Sequence, residues 1–421
     1  MRRLLVSLVG AGLLAAALPA AAAPGDLDPS FSKDGAVTTF PLGGIATSVA
    51  IDHRGRVVVA GYTLDGEVDV AVARFRSGGV LDPDFGGGDG RIRVDLGGAD
   101  YGLDLVVLPD DGIAVTGVTT RPDRERPFIL RLGRRGAPTS TFGGGGVVRV
   151  NFDRPSQSAS AIGLSAKGRF VIGGYVSNGT TTRSALARVM PDGSLDKGFA
   201  GDGRVVLDLS DGSEAIHDLL VLDGGQVVVA GEADVGLQPR FLVARLLGNG
   251  ALDRDFGLGK GVTLTDIADG ADVALAIARQ NDGKLVLAGR AAKGDRHDWA
   301  VARYGGRGRP DPTFGGDGAL VLKMTSASEE ATGVVAQGAR IVVAGRAQHG
   351  GSLDLAVARL KSGGGLDRTF SGDGVRYVDV SDGRTDAARA VALQPNGRIV
   401  AAGETWIGAS PRFAVVRLLA S

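Results

Sequence analysis

From residue 25 onward the chain alternates between short apolar runs and clusters of Gly, Asp, Asn and Pro. Around residue 270 the runs GVTLTDI, DVALAIARQ, KLVLAG and WAVARY follow one another, separated by ADG, NDG and GDRHD. Runs of about five to eight Val, Ile, Leu and Ala residues bounded by turn formers predict β-strands and tight turns. Several runs, such as Val57 to Gly61, are apolar at every position. A strand with one solvent face would alternate, so these predict strands buried on both sides. Asn281-Asp282-Gly283 and Pro395-Asn396-Gly397 stand where a hairpin needs positive φ. No helical periodicity interrupts the pattern.

The pattern repeats. One segment recurs seven times, as LDPSFSKDG at Leu27, LDPDFGGGDG at Leu81, PTSTFGGGG at Pro138, LDKGFAGDG at Leu195, LDRDFGLGKG at Leu252, PDPTFGGDG at Pro310 and LDRTFSGDG at Leu366. Its phenylalanines, Phe31, Phe85, Phe142, Phe199, Phe256, Phe314 and Phe370, lie 54 to 58 residues apart. An arginine inside an apolar strand keeps the same period, at Arg74, Arg131, Arg188, Arg245, Arg303, Arg359 and Arg417. So does a β-branched run ending in glycine, as in RVVVAG to Gly61, KLVLAG to Gly289 and RIVVAG to Gly345. Four antiparallel strands repeated seven times predict an all-β, seven-bladed β-propeller over residues 24–421. An open solenoid has shorter coils and parallel strands, which fit these hairpins badly.

The period exceeds that of WD40 or kelch blades, and their Trp-Asp and double-glycine signatures are missing. The L-D-x-x-F-G-x-D-G segment, followed by V-V-A-G and A-V-A-R strands, resembles the bacterial delta-60 repeat (DUF5122 type), a propeller-forming family, over residues 25 to 421. The resemblance implies the fold and export. It brings no catalytic residues.

A residue present in every copy of a ring suits a structural task, because catalysis needs one asymmetric constellation. A lone charge inside an apolar strand is costly, so each repeated arginine calls for a partner. The motif aspartates Asp28, Asp82, Asp196, Asp253, Asp311 and Asp367, with Thr139 in the third copy, are the expected partners, in bidentate pairs. The later aspartates Asp34, Asp89, Asp202, Asp317 and Asp373 precede glycine and are replaced by Gly145 and Lys260 in two copies. They read as turn formers, since the alternating acidic run of a calcium loop is missing. The glycine strings at Gly86 and Gly143 lead into no helix and so cradle no phosphate. Because the chain starts with the motif and ends with an arginine strand, Gly25 to Gly35 is expected to pack beside the last strand and close the ring.

The first 23 residues read as an export leader, with Arg2 and Arg3, an apolar run from Leu4 and small residues at Ala21 to Ala23. Cysteine is absent, so an oxidising compartment creates no thiol to manage. The expected location is therefore secreted, periplasmic or at the cell envelope, with no membrane span after cleavage. Lys plus Arg and Asp plus Glu both number 47, which gives no basis for a nucleic-acid partner.

Loops on one face vary among copies, and variable loops on a regular scaffold suit binding. They include RPDRERP at Arg121, KGDRHDW at Lys293, QHGGS at Gln348 and TWIGASPR at Thr405. His297, Asp298, Trp299, His349 and Trp406 are the ligand-face candidates. No spacing marks a metal site, a cofactor or a nucleophilic triad. The leading expectation is a monomeric, non-catalytic scaffold for a protein or glycan ligand. The alternative is a hydrolase or lyase with a channel site using one-off residues such as His217, Asp218 or Lys323.

Overall fold

The structure is a computed structural model describing residues 22–420. The expected leader therefore lies, except for its last two residues, outside the described residues. Twenty-eight strands form seven four-stranded antiparallel sheets. Blade 1 contains β2 (Gly44–Ile51), β3 (Val57–Thr63), β4 (Val70–Phe75) and β5 (Arg91–Val94), in that order. The first strands of neighbouring blades touch around the ring, so the first strand is innermost and the fourth outermost. Among the described residues no helix is long and apolar enough to cross a membrane.

The sequence repeat and the blade are out of phase by one strand. The run GVTLTDI, grouped above with the strands that follow it, forms β17 (Val262–Thr265) and pairs with the preceding blade. The motif loop thus connects the third and fourth strands of one blade.

This offset makes closure circular. Blade 7 owns β26 (Asp386–Leu393), β27 (Ile399–Ile407) and β28 (Ser410–Leu418), and its outer strand is β1 (Ala36–Thr39) from the other end of the chain. Ala36 pairs with Val416 and Thr39 with Phe413. The Asp28 N–H donates to the Arg417 carbonyl at 2.8 Å, and the Arg417 N–H to the Gly35 carbonyl at 2.8 Å. An otherwise open sheet edge is covered.

The apolar core fills the spaces between blades, as the two-sided runs require. Val57 and Val59 face one side of their sheet, in a cluster with Phe413 and Val415 of blade 7, while Val58 and Ala60 face the other, with Val115 and Phe128 of blade 2. The motif phenylalanines are all fully buried. Removing each Phe side chain from water contributes on the order of 2 kcal/mol.

The motif face and the channel

The repeated arginines and aspartates meet on the face carrying the motif loops. Nε of Arg74, Arg188, Arg245, Arg303, Arg359 and Arg417 donates to Oδ2 of Asp82, Asp196, Asp253, Asp311, Asp367 and Asp28, at 2.7 to 2.9 Å. The pairs are not bidentate. Nη1 turns away to a backbone carbonyl of the next blade, Arg134 for Arg74 and Ala420 for Arg359, both at 2.6 Å. Each of these six guanidinium groups also lies 4.5 to 4.9 Å above a motif phenylalanine ring. One arginine therefore joins its own motif loop to the neighbouring blade.

A second cation reinforces most of these aspartates. Arg56, Arg169, Lys284, Arg340 and Arg398 lie 2.8 to 3.3 Å from Asp82, Asp196, Asp311, Asp367 and Asp28. Burial pushes those five carboxyls up, but hydrogen bonds from the following turn and the nearby cations outweigh it, so all sit below the usual range. Asp311 reaches about 2. The third copy departs from the rule. Thr139 replaces the aspartate, Gly112 takes the place of the second cation, and Arg131 has Asp110 as its nearest carboxylate at 3.8 Å. The later aspartates accept the N–H two residues on, at 2.9 to 3.1 Å, as turn formers do.

The channel is built differently. Every innermost strand carries a β-bulge, seen as a register shift between Ala46 and Ser48 and at the equivalent place in all seven blades. The bulge pushes a strand carbonyl onto the glycine that ends the second strand. A Cβ on Gly61 would stand 1.9 Å from the Ile45 oxygen, and one on Gly345 2.0 Å from that of Glu330. The repeated glycine thus makes room for the bulge, and a bulge re-aims a side chain. The bulged residues are Thr47, Leu103, Ser160, His217, Leu275, Thr332 and Arg389, and all line a channel cavity of about 270 Å³. Unlike the core register, this position is not conserved between copies.

The residue after each repeated glycine also varies, giving Tyr62, Val118, Tyr175, Glu232, Arg290, Arg346 and Glu404. Charges pair across these two positions and the adjacent strand. Arg389 makes a bidentate contact to Glu404 at 2.8 and 2.7 Å. Glu330 accepts from Arg290 at 2.9 Å and contacts Arg346 at 3.1 Å. His217 Nε2 lies 3.4 Å from Glu232 Oε1. Burial raises Glu232, yet the His217 hydrogen bond and charge, with the Arg290 charge, hold it below its ordinary value. Tyr62 packs edge-on against Tyr101 at 5.0 Å.

Deeper in the channel, Asp104 and Asp218 follow the bulges of blades 2 and 4. Each touches the channel space but is ringed by protein, which disfavours its charge. This raises Asp104 to about 6, and raises Asp218 to about 8 with help from the Asp104 charge.

The ligand-face candidates are not brought together. The sequence placed His297 and Asp298 in a loop, with Trp299 at its edge opening the next strand, but β19 (Leu285–Lys293) and β20 (Arg296–Tyr304) leave only Gly294 and Asp295 between them. All three residues are therefore in a strand. Trp299 is fully buried in the core shared by blades 5 and 6, donates Nε1 to the Arg346 carbonyl at 3.0 Å and is unavailable to a ligand, as is buried Asp298. His349 is exposed at the end of β23 (Arg340–His349), stacked on Tyr377 at 4.5 Å. Trp406 is partly exposed in β27. His217 and Asp218 do reach the channel, whereas Lys323 is exposed beyond the outer strand β21 (Ala319–Leu322).

Among the described residues one carboxylate group comes within metal-binding distance. Oxygens of Asp69, Asp95 and Asp100 lie within 4.8 Å of one another, and Arg93 already holds Asp69. Spacing could not show it, because the three residues come from two blades. A repeated capping role was also missed. Asp100, Glu214, Asp272 and Asp386 accept the N–H of a residue four to six positions earlier, at 2.6 to 2.8 Å, fastening the loop that enters each blade. Their equal offset from the bulge was a readable signal.

The profile of the family described as a domain of unknown function (DUF5122) β-propeller matches residues 55–85, 168–199, 225–256, 280–314, 340–370 and 394–421. No curated protein sequence matches. Among solved structures, a catalytically inactive virginiamycin B lyase from Staphylococcus aureus with quinupristin is similar in fold, with a TM-score of 0.54, 11% identity, and coverage of 90% of this chain and 98% of the lyase. The polysaccharide lyase Uly1 has a TM-score of 0.49 at 10% identity, covering 90% of each chain. At 11% identity the likeness to the virginiamycin B lyase is one of fold alone.

Proposed function

We propose that this chain, a member of the DUF5122 β-propeller family, is an exported, monomeric binding scaffold that recognises a protein or glycan on the face carrying its variable loops and the charged channel mouth. One observation carries the reading. The two positions that differ from blade to blade, the bulged residue that lines the channel and the residue after the repeated glycine on the next strand, gather Glu232, Arg290, Arg346 and Arg389 into one charged network, with Glu404 buried behind Arg389. Charges already held by neighbours give a preorganised polar rim, which suits recognition more than bond breaking. The leader pattern supports export.

The test is binding of the purified protein to a glycan array and to proteins of its own culture medium, comparing wild type with Arg346→Glu and Arg389→Glu. Loss of a saturable wild-type interaction in those variants supports the reading. An interaction that survives both, or that maps to the motif face, overturns it.

A second reading is favoured by Asp104 and Asp218 alone, since carboxyls raised to about 6 and 8 resemble general acids. In the enzyme alternative Asp218 is the proton donor. Turnover of a polysaccharide or ester by wild type, lost in Asp218→Asn with unchanged folding, would select it.

A further inference from the structure

The innermost strand of each blade is a sheet edge, so its channel-side N–H groups have no strand partner and must find another acceptor. In half of the ring, two side chains supply it. Asp104 Oδ1 accepts the Leu105 N–H at 2.7 Å, and its Oδ2 accepts that of Ile162, in the next blade, at 2.8 Å. Asp218 does the same for Leu219 at 2.7 Å and Ile277 at 2.8 Å. Each carboxyl group bridges two adjacent blades through one N–H from each.

Val334, Val391 and Val49 hold the same register in blades 6, 7 and 1, second after the bulge and opposite Val343, Ala401 and Val59. Leu105 shows that this register leaves the N–H outside the ladder, since it stands opposite Val115 yet donates to Asp104. The residues that would supply the acceptors from the preceding blades are Ala276, Gly333 and Ala390, which have none to offer. A Cβ on Gly333 would lie 3.0 Å from the Val391 nitrogen, so a side chain there would land on this N–H as Asp104 lands on that of Ile162. All three valines line the channel cavity.

We propose that the channel wall of blades 6, 7 and 1 binds a compact carboxylate through the N–H groups of Val334, Val391 and Val49. Converging backbone N–H groups form an anion site. The class of ligand follows from the opposite wall, where the same pairs of N–H groups already hold the two oxygens of a planar carboxyl group. The absence of side chains beyond Cβ at residues 276, 333 and 390 leaves space for a ligand group in the position Asp104 and Asp218 occupy elsewhere. This goes beyond recognition at the mouth, and because it is read without any mouth ligand, either proposal can fail alone.

The test is amide NMR of the deuterated, 15N-labelled protein titrated with sodium acetate, against sodium chloride at equal ionic strength. The expected result is saturable movement of the Val334, Val391 and Val49 amides by acetate only, with Leu105, Ile162, Leu219 and Ile277 unmoved. Gly333→Asp places the protein's own carboxylate against Val391 and should abolish the response there, and Ala390→Asp should do so at Val49, so that one variant serves if the other does not fold. Lactate should act like acetate, and inorganic phosphate should bind at least tenfold more weakly. No saturable shift, an unchanged acetate response in a folded variant, or phosphate binding equal to acetate would overturn the proposal.

Discussion

On the motif face, six of the seven blades present the same arginine, aspartate and phenylalanine in the same geometry; on the channel wall, no two neighbouring blades present the same bulged residue. The difference reflects what each region must do. A ring closes only if every blade meets the next in the same way, so the inter-blade tie is copied. Recognition needs a shape that is not seven-fold, and the channel is where the scaffold tolerates it, because the bulge and its glycine fix the backbone and leave the side chain free. The second blade, which carries the third copy of the motif, marks the boundary of that rule: it lacks both the aspartate and the second cation, which leaves Arg131 weakly partnered but leaves no buried carboxylate without a cation.

The largest expected effect comes from breaking closure. Deleting residues 22–39 removes β1 and Asp28, exposing the β28 edge and stranding Arg417. Loss of a single cooperative melt, with aggregation, is expected in calorimetry, and a melt within a few degrees of wild type would show that the ring does not depend on this strand.

Next in size is the copied tie. Asp367→Lys sets a cation against Arg359 and Arg340 and should cost about 3 to 5 kcal/mol, as breaking buried ion pairs does. An unchanged denaturation midpoint would mean that the neighbouring carbonyl contacts suffice. Gly345→Ala tests the link between glycine and bulge. Its Cβ collides with a backbone oxygen, and overpacking of this kind costs about 1 to 3 kcal/mol. A neutral result would sever that link.

The two regions should also respond to pH with opposite signs. The motif aspartates have lowered folded pKa values, so their stabilisation is present above about pH 4 and is lost as the pH falls toward 2. Asp104 and Asp218 are raised, so the stability they contribute is present below about pH 4 and is lost as the pH rises through 6 and 8. Melting temperature should therefore fall between pH 4 and pH 8, and Asp218→Asn should flatten that fall. A slope identical to wild type would place the fall elsewhere. The smallest effect is a gain. Thr139→Asp supplies the missing partner of Arg131 and should stabilise by up to about 1 kcal/mol, with Gly112 limiting the benefit, and a lower midpoint would show that the second blade has settled into a different tie.

Much of the site was legible in principle. The bulged residues and those following each glycine stand at fixed offsets from repeated signatures, and comparing the copies for disagreement would have added Glu232, Arg290, Arg346 and Arg389 to His217, which its uniqueness had already marked. Loop variability pointed instead to Asp298 and Trp299, because a run of polar residues before a strand resembles a loop when the strand in fact begins three residues earlier, at Arg296.

The number of blades, the four-strand unit, the motif turns and the packing of Gly25 to Gly35 beside the last strand could all be read from the order of residues, because each rests on local chemistry repeated seven times. Ring closure is what offsets the repeat from the blade by one strand, lets six arginines divide their donors between two blades, and puts Asp104 and Asp218 in one channel. Those facts depend on which edges meet when the ring closes, and residues separated by 58 positions or by nearly the whole chain become neighbours only then.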